Sequence, residues 1–134
     1  MKRWTIVAVL ATVIFSWIAP GGMGQQRNEL KDFMRIKLRH SQKVLEGLVL
    51  ENFDEVAKNS QEMSLLSLAA TWQVFETPEY VEYSRKFRNA ADALTDAARA
   101  KNLDRATLAF NQVTSQCVEC HKYVRGIRTA KASK

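Results

Sequence analysis

Cys117-Val118-Glu119-Cys120-His121 decides how this chain is read. A C-x-x-C-H run is the attachment signature of a c-type haem. Its two thiols become thioethers on the porphyrin vinyl groups, and the adjacent histidine offers an axial nitrogen to the iron. Only 13 residues follow His121, so the chain must fold around a group carried by its last element. Other readings of these five residues fit less well. A helix holds Cys117 and Cys120 in poor geometry for a disulfide. A thioredoxin-like redox pair belongs to a βαβ setting that the chain lacks. Structural zinc wants about four ligands, and outside the motif only His40 remains. Cys120 and His121 also leave a helix at different angles. A non-haem, zinc-binding helical interaction module is therefore the second reading.

Outward from the motif, apolar spacing is helical. Over 105–125 the stripe is Ala106, Phe110, Val113, Cys117, Cys120, His121 and Val124. Cys117, Cys120 and His121 stand at i, i+3 and i+4, so one helical face carries both thiols and the imidazole. Three further helices are expected. The first covers 28–50, with a stripe of Leu30, Met34, Leu38, Ser41, Leu45 and Leu48, and Phe33 and Val44 beside it. The second runs from 53 to 74 through Val56, Ser60, Met63, Ser67 and Ala70. The third covers 78–101 and buries Val81, Ser84, Phe87, Ala91, Leu94 and Ala98. Thr77-Pro78-Glu79 marks its start with a cap, a proline at the first helical position and an acid for the helix dipole. Asn102 or Asp104 caps the last helix. Short links join antiparallel neighbours. The fold class is all-α: an antiparallel up-down-up-down four-helix bundle with covalently bound haem c.

The N-terminus reads as a targeting segment. Met1-Lys2-Arg3 is basic, Trp4 to Ala19 is an apolar run, and Pro20-Gly21-Gly22-Met23-Gly24 breaks it. Residues 1–24 are thus a secretory signal and 25–134 the bundle, in a periplasmic or otherwise exported protein. The run is short against the ~20 residues of a spanning helix. Without an A-x-A cleavage site, an uncleaved membrane anchor is the alternative. Beyond residue 24 the chain carries 18 Lys and Arg against 14 Asp and Glu, a net of +4, which does not argue for nucleic acid. No acid follows Glu119, while Lys122, Arg125, Arg128, Lys131 and Lys134 do. That tail reads as solvated, or as a weak patch for an acidic redox partner. No Ser/His/Asp or paired-carboxylate arrangement suggests hydrolysis, and a haem peroxidase would have only His40 for acid–base work. Trp72, Phe75, Tyr80 and Tyr83 read as packing where the second and third helices meet.

Taken together, these features resemble the cytochrome c′ family, four-helix c-type cytochromes with C-x-x-C-H on the last helix. Family members place an aromatic and then an arginine three and four residues after the histidine. Arg125 falls on the arginine position, Val124 holds the aromatic's place, and Tyr123 lies one residue earlier. The resemblance implies one haem c held through Cys117 and Cys120, with His121 as axial ligand and Arg125 near the proximal face. It also implies an arginine on the first helix that pairs with a propionate, for which Arg35 and Arg39 are candidates. Four residues further, the family has a bulky apolar residue or a methionine over the iron, whereas this chain has Arg39 and Lys43. On the stripe itself, Leu38 would wall off a five-coordinate iron open to NO or CO. Met34, one turn earlier, would instead close the shell of an electron carrier, and Met63 is a weaker candidate for that role. Lys37 borders the stripe, within reach of a propionate or of solvent. His40 stands about 90° off the stripe and is expected at the surface. The implied function is electron transfer, binding of small gases, or both, and not enzymatic. A redox partner protein is implied, and a homodimer through the first two helices with Val49, Leu65 and Leu68 on its face.

Overall fold

The computed structural model describes residues 22–69, 72 and 74–132. Four helices follow one another: α1 (Gly22–Val49), α2 (Phe53–Leu66), α3 (Pro78–Arg99) and α4 (Leu103–Ala132). Among the described residues there is no strand, and the chain is the all-α four-helix bundle that its spacing predicts. The segment expected to be an export signal, 1–24, lies outside the described residues except for 22–24, which belong to α1.

Two turns built the same way join α1 to α2 and α3 to α4. In each, a residue with left-handed backbone reverses the chain, Glu51 at φ 53° and Lys101 at φ 52°. The asparagine after it returns its amide N–H to the preceding helix, Asn52 to Gly47 O at 2.8 Å and Asn102 to Ala97 O at 3.0 Å. Each asparagine side chain then accepts from the next helix, from Glu55 N at 3.2 Å and Arg105 N at 2.9 Å. Orphan groups at both helix ends are thus satisfied within a few residues. Gly47 serves close approach: a Cβ there would lie 2.8 Å from Val56 Cγ2. Thr77 caps α3 by accepting from Tyr80 N at 3.3 Å, with Pro78 behind it, as the spacing predicts.

Helix boundaries differ from the periodicity in three places, the first being α1, which begins at Gly22 rather than near residue 28. α2 ends at Leu66 rather than near residue 74. Ser67 closes it, its hydroxyl donating to Ser64 O at 2.6 Å, and Arg88 of α3 donates to the Ser67 Oγ at 3.1 Å. Beyond this turn Trp72 enters the core, where its indole N–H donates to Ser84 Oγ at 2.8 Å and its ring sits 5.5 Å from Phe87. The Tyr80 hydroxyl donates to the Trp72 carbonyl. Burying a hydrogen-bonded indole outweighs continuing the helix. α4, in turn, extends past Arg125 to Ala132.

The buried face of α1 also differs. It runs through Phe33, Lys37, Val44 and Leu48. Leu38, Leu45 and Val49 are 59, 52 and 74 % exposed. Reading a stripe from apolar residues passes over Lys37, and moving the stripe onto position 37 turns the helix by about 100°. Elsewhere Ala90, Ala91, Ala97 and Ala98 are buried and let the neighbours of α3 come close. Ser60 and Thr95 share a buried hydrogen bond of 2.7 Å between α2 and α3. α1 and α4 touch little, and a cavity lies between them.

Candidate functional site

That cavity measures about 660 Å³, within the range of roughly 300–1,000 Å³ common for cofactor sites. α4 supplies one wall. Helical spacing puts Cys117, Cys120 and His121 together there, followed by Val124 and Arg125 one turn on. No disulfide joins the two cysteines; Cys120 is buried and Cys117 half-buried. Burial raises both thiol pKa values, while the Lys37 charge pulls each the other way. His121 lines the cavity and keeps an exposed face. Its pKa is lowered, first by burial and then by the Lys37 and Arg125 charges, which favours the neutral, ligating imidazole.

The opposite wall is α1, with Leu30, Met34, Lys37 and Leu38. Lys37 is only 7 % exposed. Its Nζ stands 3.5 Å from the ring centroids of both Trp72 and Phe87. Burial lowers its pKa to about 7, offset in part by the two thiols. Met63, Phe75 and Tyr80 complete the apolar interior. Burial pushes Tyr80 up to about 12, which keeps its hydroxyl a donor to Trp72.

The residues present fit a haem. Two thiols and an imidazole share one wall, and the interior is aromatic and aliphatic. The charged groups along the lining are Lys31, Lys37, Arg125 and Arg128, with no Asp or Glu among the described residues there. That balance suits the two carboxylates of a porphyrin. Gln116 Oε1, on the same wall, is buried without a hydrogen-bond partner. Zinc fits worse: among the described residues, no three His, Cys, Asp or Glu side chains converge, where a structural site takes about four ligands.

Of the residues singled out by sequence, Cys117, Cys120, His121, Arg125, Met34 and Leu38 line the cavity. Leu38 does so from an exposed position and is not on the buried stripe. Arg35 and Arg39 lie outside the lining, and Arg35 pairs with Asp32 at 3.3 Å. Two residues to either side of Lys37 is about 200° around the helix, so both arginines face away. Tyr123 does not stand in for the displaced aromatic. Its hydroxyl is 2.7 Å from Thr77 Oγ1 and its ring 5.4 Å from Tyr83, which ties α4 to the start of α3. His40 is half-buried rather than at the surface, with Nδ1 2.8 Å from Asn59 Oδ1. Trp72, Phe75 and Tyr80, expected as end packing, line the cavity instead. Lys37 is the residue sequence reasoning underweighted, and its one signal was a lysine beside an apolar stripe.

No helix among the described residues is long and apolar enough to cross a membrane. A family model described as Cytochrome C' matches residues 21–125. No curated protein and no solved structure matches the chain at a significant level.

Proposed function

We propose, since the chain belongs to the cytochrome c′ family, that it is an exported monohaem c-type cytochrome that carries electrons. One observation supports this above all: Cys117, Cys120 and His121 present themselves together on one wall of a cavity whose far side is α1. In this reading Cys117 and Cys120 would hold the haem as thioethers, and His121 would supply a nitrogen to its iron. Arg125, Arg128 and Lys31, the exposed cations of the lining, would pair with its propionates. When bound, the haem supplies a one-electron Fe(III)/Fe(II) couple, whose potential depends on axial ligands and burial. Trp72 and Phe87, both buried, keep water from one end of the site. The acid-free run after Glu119 offers an acidic redox partner a docking charge.

Intact mass spectrometry of the exported protein tests the attachment. One haem mass is expected on the wild type and none on the Cys117→Ala/Cys120→Ala double variant; a wild-type mass of the bare polypeptide would sink the proposal. Electron transfer to an acidic acceptor should slow as salt screens the basic tail. The second reading, binding of NO or CO, loses the buried wall expected of Leu38, which is 59 % exposed. A reduced spectrum that shifts under CO supports that reading, and an indifferent one removes it.

A further inference from the structure

Lys37 is the anomaly of the site. A lysine on a helix ordinarily extends its ammonium to water, and α1 offers that route through its exposed face. Here the side chain turns inward instead, and Nζ lies between two buried rings, Trp72 at 4 % and Phe87 at 1 % exposure. Two aromatic faces stabilise an ammonium, yet a desolvated cation ordinarily also needs an anion. Among the described residues no carboxylate lines the cavity or pairs with Lys37. The other cavity cations, Lys31, Arg125 and Arg128, are exposed, as partners for propionates should be. Lys37 alone has its nitrogen among the deep apolar residues.

Its position relative to α4 narrows the role. Lys37 is close enough to Cys117, Cys120 and His121 for its charge to act on all three. It stands on α1, the wall across the cavity from His121. Other donors on that side are weaker. Met34 is half-buried one turn earlier, Met63 belongs to α2, and His40 is tied to Asn59 outside the cavity. A buried amine held between two rings on a wall of this cavity, with no carboxylate beside it, is placed to donate its lone pair to a metal.

We infer that Lys37 is the second axial ligand, giving its amine nitrogen to the iron from the side opposite His121. The inference rests on the haem reading above, and its test separates the two. Ferric holoprotein is examined by optical absorption and electron paramagnetic resonance, with haem loading checked by mass for each variant. Wild-type iron should be low-spin and six-coordinate at neutral pH. Lys37→Ala and Lys37→Arg should both become high-spin, because arginine keeps the charge but does not ligate. Met34→Leu should remain low-spin. Lys37→Met preserves length and apolar volume, so it guards against a folding failure; it should show a sulfur-to-iron charge-transfer band absent from the wild type. Haem-loaded wild type with high-spin iron, or low-spin iron retained in Lys37→Ala, would overturn the assignment and leave the haem reading standing. High-spin iron in Lys37→Ala with low-spin iron in Lys37→Arg would overturn it in favour of a purely electrostatic role. A wild-type mass without haem would overturn both.

Discussion

In the haem-free chain, Lys37 should reveal itself through proton linkage. Its folded pKa is about 7, against an ordinary value of 10.5. Between those values the unfolded chain holds the proton and the folded chain does not. Unfolding therefore takes up a proton, and stability rises with pH across this window, flattening below about pH 7. From pH 7 to 9 the gain should be about 2 kcal/mol. Cys117, Cys120, His121 and Tyr80 face the same cavity, and the thiols, with raised pKa values, act with the opposite sign. The quantity to measure is thus the difference in urea-unfolding free energy between the haem-free parent and Lys37→Met, which removes what those groups contribute on their own and leaves Lys37 together with its charge coupling to Cys117, Cys120 and His121. A pH-independent difference would show an amine that keeps its proton in the fold. That Cys117, Cys120 and His121 share one face was legible in the sequence, because helical spacing alone sets it. Lys37 was not, because nothing local says which way a long side chain turns.

The elements are held by their ends as much as by their faces. Glu51 and Lys101 occupy left-handed backbone without the freedom of glycine. Lys101→Gly and Glu51→Gly should each raise stability by about 1 kcal/mol, measured as a shift in urea midpoint at unchanged slope. Gly47→Ala should do the reverse, costing about 1–3 kcal/mol, since its methyl would press on Val56 Cγ2 at 2.8 Å. A neutral result there would mean that α2 shifts freely along α1. The caps at Thr77 and Asn102 could be read from residue type and position. The left-handed residues could not, because glutamate and lysine carry no mark of that conformation. The end of α2 was equally hidden, since it depends on Trp72 meeting Ser84 and Phe87 of another helix.

Across the whole molecule, α2 and α3 pack directly, while α1 and α4 face each other over the cavity. Hydrogen exchange in the haem-free chain should therefore be fastest, within the bundle, along the cavity-facing turns of α1 and α4 and slowest in α3. Haem loading should protect α1 and α4 most; uniform protection would argue against a cofactor between them. Leu38, Leu45 and Val49 stand at i, i+7 and i+11, an exposed apolar line on α1. With Leu65 and Leu68 of α2, also exposed, they suit the homodimer implied by family resemblance. Sedimentation should show a dimer that Leu45→Glu/Leu65→Glu converts to a monomer, and a monomeric wild type would remove that expectation.

By itself the sequence determined what depends on neighbours within a turn or two: the helical period, the caps, and the thiols and imidazole sharing one face of α4. Tertiary structure alone decided which side of α1 is buried, where α2 stops, and that Lys37 rather than Leu38 belongs to the buried face. The reason is physical. Burial is conferred by residues remote in the chain, here Trp72 and Phe87, and burial is what takes the Lys37 amine away from water and points it at the cavity.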